Sequence, residues 1–399
     1  MKRRLLAFLA IVFVLSVGFI KTKNQPVSQP SSSTYNKEVS KEAIEPVRLT
    51  AREIWKNCQD RDSICLEGTI TTKLLEKYPT GQILSALYDW DQYFSCHAFS
   101  HFLGRALYRK TQSIADAYSQ VDFTCHGGAY HGVMESFLDG QKESIDQFSG
   151  QELVDRCRDS TAMTQAKKDQ IFTECLHGFG HAFMYITASD LPASLAYCDR
   201  LDEVYQERCW GGAFMENSTS STNVDHPTQW LKADDKFYPC TILESRYLAQ
   251  CYFYQANYLL KATNRDWQQV FADCAQLTDA KNHDYCVLGM GAQLASVSNE
   301  QGIDVASAVC QTALSQSDAY ICIEGAVPSL FARYGGDAPQ IFDFCQKAAS
   351  FLGQFCFAKL GSVAKEYWQY DSSHLAGICQ KALAYQNACL GENKIEFKY

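Results

Sequence analysis

Paired cysteines at a nearly fixed interval constrain the fold of this chain more than any other feature. The chain has 18 cysteines, and from Cys157 onward they fall into consecutive pairs whose second members recur after 34, 42, 35, 36, 34 and 33 residues. A fixed period in this range is typical of repeat proteins, in which each unit packs against its neighbours. Segments between the cysteines, such as Ile303 to Leu314 and Ala338 to Ala349, have helical spacing of apolar residues and little strand character.

Each repeat is therefore predicted to be an αα-hairpin. One helix ends near the first cysteine, the next starts at the second, and a disulfide holds the turn closed. The fold class that follows is all-α: a right-handed solenoid of about ten tandem αα-hairpins, preceded by an N-terminal hydrophobic segment. The predicted disulfides are Cys58–Cys65, Cys96–Cys125, Cys157–Cys175, Cys198–Cys209, Cys240–Cys251, Cys274–Cys286, Cys310–Cys322, Cys345–Cys356 and Cys379–Cys389.

Cys96 and Cys125 differ from the other cysteines because neither has a partner at the end of a first helix. Either they bridge neighbouring units or they stay reduced as soft metal ligands. We favour the bridge, since an exported protein folds in an oxidising compartment.

Glycine recurs three residues after the second cysteine of many units. The positions are Gly68, Gly128, Gly178, Gly212, Gly289 and Gly325. A glycine inside a helix costs about 1 kcal/mol relative to alanine, so its recurrence predicts a close approach of neighbouring backbones.

The N-terminus carries an export signal. Basic residues at Lys2, Arg3 and Arg4 precede an apolar run from Leu5 to Ile20. This segment, 1–23, is either a retained single-span anchor or a cleaved signal peptide. The protein is thus expected to be membrane-anchored and to face the periplasm or cell exterior, or alternatively to be secreted.

Composition divides the remainder of the chain and excludes some partners. Residues 24–47 are polar and rich in Ser and Pro, which predicts a disordered tether, and folding is expected to begin near Arg48. Two repeat regions follow, a histidine-rich one at 48–220 and a disulfide-stapled one at 221–399. The net charge of -9 argues against nucleic acid as a partner. No C-x-x-C spacing occurs, which argues against zinc ribbons and thioredoxin chemistry.

Six of the nine histidines lie in three motifs, each starting at a cysteine of the first half of the chain. The motifs are CHAFSHFLG (96 to 104), CHGGAYHGVME (125 to 135) and CLHGFGHAF (175 to 183). In the six units after residue 200, the equivalent positions hold no histidine.

The spacing of these histidines suits a metal site. Residues four apart on a helix share a face, as in His97 with His101 and His177 with His181. His126 and His131 are five apart and work together only if the first helical turn is irregular. Stacked repeats would bring the three motifs side by side.

The complete predicted site adds two carboxylates to the histidines. The candidate metal ligands are His97, His101, His126, His131, His177, His181 and Glu216, with Glu135 as a further ligand or general base. A set this rich in imidazole favours iron or copper over zinc. The simpler alternative is that the histidines are polar first-turn residues or surface groups that bind a partner or respond to pH.

The repeats resemble the cysteine-rich Sel1-like branch of the tetratricopeptide-type helical repeats. The resemblance is carried by segments such as CAQLTDAKNHDYCVLGMGAQLA (274 to 295) and covers about residues 157–395. It implies a curved solenoid that binds a protein or peptide, and it implies no catalysis.

Two functions follow as hypotheses. The first is an exported, membrane-tethered helical-repeat protein with a multi-histidine transition-metal site, acting as a metal-dependent oxidase, hydroxylase or hydrolase. The second is a Sel1-like interaction scaffold of the cell envelope, which binds an envelope protein or peptide on the solenoid surface and has no catalytic activity.

Overall fold

The protein is all-helical over the residues that the structure describes. The computed structural model describes residues 41–58, 62–88, 93–161, 168–219, 227–367 and 370–391, and these contain no β-strand. The α-helices are α1 (Lys41–Asn57), α2 (Ser63–Ile70), α3 (Thr80–Tyr88), α4 (Tyr93–Thr111), α5 (Ile114–Tyr118), α6 (Gly128–Asp139), α7 (Gly150–Thr161), α8 (Lys168–Ile186), α9 (Leu191–Cys198), α10 (Glu203–Thr219), α11 (Leu248–Ala262), α12 (Trp267–Cys274), α13 (Ala280–Ala292), α14 (Leu294–Gln301), α15 (Ile303–Val309), α16 (Gln316–Tyr334), α17 (Pro339–Leu352), α18 (Phe355–Ser362), α19 (Ser372–Gln380) and α20 (Gln386–Cys389).

Nine disulfides use all 18 cysteines, and they join the pairs predicted from the sequence. The Cα atoms of each pair are 5.2 to 5.7 Å apart, the usual separation for a bridge. Cys96 and Cys125 are bonded to each other, so neither is a thiolate ligand in this structure. Nine disulfides indicate an oxidising, extracytoplasmic environment.

Several second helices of the hairpins begin earlier than predicted. Helix α13 starts at Ala280, six residues before Cys286, and α16 starts at Gln316, six residues before Cys322. Their starts are set by the side chains of Asp279 and Ser315, which accept hydrogen bonds from exposed backbone N–H groups of the first turn. In these two units the disulfide enters one to two turns inside the second helix, so the predicted start at the cysteine was wrong there, whereas α18 begins at Phe355, one residue before Cys356.

The hairpin closed by Cys240 and Cys251 departs from the predicted pattern. Residues 227–244 contain no α-helix, so this unit has no first helix in its described part. Pro239, immediately before Cys240, has no backbone N–H and disfavours helical conformation in the residue that precedes it.

Helix α1 begins at Lys41, before the predicted start of folding at Arg48, and Val47 is fully buried. The described end of the predicted tether 24–47 is thus helical. Within the described ranges, no helix has the length and apolar character needed to cross a membrane. The predicted anchor, 1–23, lies outside the described residues.

Ten helices follow one another in space as they do in sequence. Each packs against the next in the order α2, α4, α6, α8, α10, α11, α13, α16, α18 and α20. This row also returns towards its start, because α14 packs against α4 and the Arg333 guanidinium of α16 donates a hydrogen bond to the carbonyl oxygen of Tyr88 at 2.7 Å. The helices α4 to α16 of the row therefore surround a common interior.

Glycines permit the close contact between these helices. A Cβ atom on Gly212 would lie 1.9 Å from the carbonyl oxygen of His177, and Cβ atoms on Gly289 and Gly325 would each lie 2.0 Å from a backbone oxygen of the neighbouring helix. Gly128 also approaches backbone, which confirms the predicted close approach at these four positions. The prediction was wrong at two others: Gly68 has no atom within 4 Å, and Gly178 faces the Met134 side chain.

Replacing Gly132 with alanine should destabilise the protein, because its Cβ would lie 1.9 Å from the carbonyl oxygen of His101. Overpacking of this kind costs about 1 to 3 kcal/mol, measured as the free energy of unfolding in denaturant. Gly68→Ala is the matched control: Gly68 is exposed inside α2, so alanine should be neutral or stabilise by up to about 1 kcal/mol. Equal effects of the two substitutions would contradict the contact.

Candidate metal centre

Five histidine rings from three helices meet in the interior. Helix α4 supplies His97 and His101, α6 supplies His131, and α8 supplies His177 and His181. Pairs of these rings have centroids 4.4 to 6.2 Å apart. All except His177 are at most 1% exposed. The alternative that these four are surface groups is therefore wrong.

The glycines of the helix contacts explain why the rings converge. A Cβ atom on Gly132 or Gly212 would collide with the backbone oxygen of His101 or His177, respectively. Each of these histidines thus lies where the neighbouring helix comes closest. Side chains that leave three such helices at one level of the stack meet in a small volume.

In three of the rings, the Nδ1 nitrogen lies within hydrogen-bond distance of an acceptor; we call Nδ1 the outer nitrogen and Nε2 the inner one. His97 Nδ1 lies 2.7 Å from the carbonyl oxygen of Cys125. His101 Nδ1 lies 2.6 Å from Glu135 Oε1, and His181 Nδ1 lies 3.1 Å from Glu216 Oε2. A carbonyl oxygen or an ionised carboxylate can only accept, so it fixes the proton on Nδ1 and leaves the Nε2 lone pair bare. This is the outer arrangement usual for metal-binding histidines.

The inner nitrogens face each other. His97 Nε2 and His101 Nε2 are 3.0 Å apart, and His177 Nε2 and His181 Nε2 are 3.3 Å apart. Two nitrogens bound to one ion at about 2.0 to 2.1 Å are separated by about 2.9 to 3.4 Å at angles between a right angle and the tetrahedral angle. With protons on Nδ1, the facing lone pairs of His97 and His101 repel unless a cation lies between them.

An added proton is a poor candidate for that cation. Burial lowers the pKa of His97 to about 4, with a further contribution from His131, and it lowers the pKa of His101 well below its usual range. An N–H···N hydrogen bond between neutral rings instead requires Glu135 to be protonated and to donate to His101. Burial raises the pKa of Glu135 to about 7 and Arg105 opposes this rise, so the facing lone pairs are left bare where the pH is high enough to ionise Glu135.

His131 completes the cluster from α6. Its Nε2 lies 3.1 Å from Glu174 Oε2, while its Nδ1 is buried and has no hydrogen-bond partner among the described residues. Two ligand groups result, each with atoms within 4.8 Å of one another: His97 with His131 and His181, and His101 with Glu135 and His181. The cluster could hold a metal ion in either group, and His181 belongs to both.

A buried network of charged side chains lies next to the cluster and contacts it through Glu135. Arg105, one turn after His101 on α4, is fully buried, and its Nε lies 3.3 Å from Glu135 Oε2 and 3.5 Å from Glu67 Oε1. Burial raises the pKa of Glu135 to about 7, although Arg105 acts in the opposite direction. A buried guanidinium is stable only with such partners, so the network fixes the carboxylate that orients His101.

The other predicted site residues lie at the edge of the cluster. His126 falls in a turn of three left-handed residues, Cys125 to Gly127, which makes the start of α6 irregular. It lines the neighbouring cavity but belongs to neither ligand group. Glu216 contacts the Nδ1 atom of His181, so Glu216 lies on the outer side of that ring.

Sequence reasoning did not identify Glu174, Arg105 or Glu67. Glu174 directly precedes Cys175, and Glu67 lies two residues after Cys65. The one available signal was Arg105, a charged residue four positions after His101 and therefore on the same helix face as that histidine.

A cavity of about 260 Å³ adjoins the cluster. One wall is formed by His97, His131 and His177, with Glu174 beside them, and the opposite wall comes from α11, α13 and α16. The second half of the chain thus encloses the site that the histidines of the first half form. Glu135 is not among the lining residues.

Comparison with protein-family models, curated proteins and solved structures gives no match to this chain. The resemblance to Sel1-like repeats stays a prediction.

The pH dependence of stability offers a test of the buried cluster without metal. Burial lowers the pKa of His97 to about 4 and the pKa values of His126 and His177 to about 3. Between these values and about 6.5, the unfolded chain binds protons that the folded protein does not, so stability falls as the pH falls. Glu135, with its pKa raised to about 7, acts in the opposite direction because the folded protein binds its proton first.

Histidines with a lowered pKa outnumber glutamates with a raised pKa. The chelator-treated protein should therefore lose stability from about pH 6.5 to 4.5, by about 1.4 kcal/mol per pH unit for each net proton that the unfolded chain binds. Urea titrations at a series of pH values measure this slope. His177→Ala with His181→Ala should flatten it. A stability that is independent of pH in this window would show that the rings are not buried in neutral form.

Proposed function

We propose that this protein is an exported, metal-dependent enzyme whose centre is the histidine cluster of α4, α6 and α8. The observation that carries the proposal is the facing pair of His97 Nε2 and His101 Nε2, 3.0 Å apart, with the Nδ1 of each ring held by an acceptor. A cation between the two rings relieves the repulsion of their lone pairs, and the same two acceptors strengthen the rings as ligands.

Iron or copper is the proposed metal, in an oxidase or hydroxylase reaction. Neutral imidazole suits both ions, and a site with five histidines and nearby carboxylates offers more ligands than the four of a structural zinc site. The two ligand groups share His181, and with Nδ1 protonated only its Nε2 can bind an ion, so the groups are alternative positions for one ion.

The cavity supports catalysis over a purely structural role. A structural ion is enclosed by its ligands, whereas a catalytic ion keeps a position open to substrate. His97, His131 and His177 all line the cavity, so ions held by them would face its interior. Glu174 also lies on this side, which makes it better placed than Glu135 to exchange protons with a substrate.

The proposed setting is a right-handed solenoid of αα-hairpins, tethered to the membrane by its N-terminal segment and facing the periplasm or cell exterior. The packing of ten helices in chain order supports the solenoid. An interaction scaffold without catalysis is the second candidate. It is favoured by the repeat organisation, but a scaffold has no evident use for five histidines in its interior.

Elemental analysis of the protein as purified, followed by chelation and reloading, tests the metal. We expect iron or copper at about one ion per chain. After anaerobic reduction, exposure of the reloaded protein to dioxygen should change the visible absorption spectrum. Zinc alone, without a response to dioxygen, would replace the redox proposal with a hydrolytic one. The absence of bound metal before and after reloading would overturn both and leave the scaffold.

The variants Glu174→Gln and Glu135→Gln form a matched pair that tests which carboxylate exchanges protons with the substrate. Both substitutions remove one carboxylate next to a histidine and conserve size. If Glu174 exchanges protons with the substrate, Glu174→Gln should keep the metal content and slow the dioxygen reaction by about 100-fold or more. Glu135→Gln should mainly lower stability and metal content, because Glu135 contacts Arg105 and His101. A reversed result would return Glu135 to the role of general base.

A further inference from the structure

A buried cation in the cavity wall, Arg333, has no acidic partner among the residues that the structure describes. Arg333 of α16 is 6% exposed and lines the cavity. Its Nη2 donates to the backbone oxygen of Tyr88 and to Oδ1 of Asn299, while its Nε is buried without a hydrogen-bond partner. Across the described ranges, no carboxylate oxygen lies within 4.0 Å of this guanidinium, and its contacts are to neutral groups, including the Tyr88 ring.

Arg105, which is also buried, shows how a buried guanidinium is usually stabilised. Arg105 has carboxylates of Glu67 and Glu135 on two sides, because a buried charge is costly unless it is paired. The second arginine of the cavity, Arg208, is exposed and acts electrostatically on Glu174, the one carboxylate of the lining. Arg333 therefore remains as the positive charge that the cavity does not neutralise.

The lining between Arg333 and the histidine cluster is mainly apolar. Phe123, Met215, Phe253 and Pro328 contribute to it, and Tyr254 packs its ring 6.0 Å from that of His177. The volume of about 260 Å³ is slightly below that of typical sites for drug-sized ligands. A ligand that fits is small, with an apolar body and one anionic end.

We propose that the cavity binds a small organic carboxylate, with its charged group on Arg333 and its apolar body extending towards the histidines. This inference rests on the proposed function for the role of the ligand as substrate. The binding itself needs only the cavity and Arg333. A guanidinium offers a carboxylate parallel hydrogen bonds, and Arg333 is part of the cavity lining.

Benzoate and benzamide are matched probes, since they have the same shape and differ in charge. Isothermal titration of chelator-treated protein should show that benzoate binds more tightly than benzamide. Arg333→Gln should reduce the affinity for benzoate on the order of tenfold or more, which is the usual cost of losing a charged hydrogen-bond partner. Arg158→Gln, which changes an exposed arginine of α7, should have no effect.

Loss of the contact with Tyr88 could also unfold Arg333→Gln, so a second pair of variants is needed. Ala332→Glu places a carboxylate in the cavity beside Arg333, and Ala332→Gln adds the same bulk without charge. Benzoate should bind more weakly to the first variant than to the second.

Three results would overturn the proposal. These are equal binding of benzoate and benzamide, unchanged benzoate affinity in folded Arg333→Gln, and binding of inorganic phosphate but not of benzoate, which would assign the site to an inorganic anion. Metal content is measured separately on the same proteins. Benzoate binding that depends on Arg333 in a protein without metal affinity would refute the proposed enzyme and leave the anion site intact.

Discussion

His181→Ala is expected to abolish high-affinity binding of transition metal. His181 is the residue shared by the two ligand groups, and its ring is stacked on that of His131 at 4.4 Å. Loss of a partner outside the ligands usually lowers metal affinity by about 10- to 100-fold, so loss of a shared ligand should exceed about 100-fold. Elemental analysis and competition with a chromophoric chelator measure the change.

Two controls separate metal loss from misfolding. His374→Ala removes a histidine that stacks on Tyr370 outside the cluster, and it should leave the metal content unchanged. His181→Ala should also remove the stabilisation that added metal gives to the parent protein, while its own cooperative unfolding persists. If His181→Ala binds metal as tightly as the parent, the cluster is not the metal centre.

Reduction of the disulfides is expected to abolish the cooperative fold. Each bridge contributes about 2 to 4 kcal/mol, while the total stability of a domain is usually about 5 to 15 kcal/mol. Loss of nine bridges therefore exceeds what packing of the helices can compensate. Thermal unfolding followed by circular dichroism, with and without reductant and with chelator in both samples, measures this effect. A reduced protein that unfolds cooperatively at the same temperature would contradict the role of the bridges.

The contribution of a single bridge to the free energy of unfolding should depend on the length of the loop that it closes. Cys96 and Cys125 are separated by 29 positions, and Cys58 and Cys65 by 7. The entropy lost by the unfolded chain grows with the logarithm of loop length, so serine substitution of the first pair should cost about 1 kcal/mol more than that of the second. Mass mapping of the intact protein should recover the nine pairs.

The helical units and their bridges follow directly from the sequence. Helical periodicity is a local signal, and the cysteines that close a hairpin are close in the chain, so both can be predicted without knowledge of the tertiary structure. The starts of α13 and α16 were missed by six residues because the capping side chains of Asp279 and Ser315, not the cysteines, determine them. Similarly, Pro239 disfavours helix in the residue before it, next to Cys240, where the first helix is missing.

Part of the candidate site was also predicted from local spacing along the chain. His97 with His101 and His177 with His181 have a spacing that places each pair on one helix face, and the structure brings both pairs together with His131. That Glu174 would contact His131, 43 positions away, has no local signature.

The enclosure of the site depends on contacts between distant parts of the chain, which no local pattern indicates. All six histidines of the predicted site precede residue 200, yet α11, α13 and α16 of the second half form the far wall of the cavity. Arg333 reaches Tyr88 across 245 positions of sequence. Local patterns suffice to predict the helices, the bridges and the helix faces that carry histidine, because each depends on residues within one or two units of the repeat. Whether the row of helices returns to its start depends on small rotations between neighbouring units, which add up over the whole array and which no single repeat encodes.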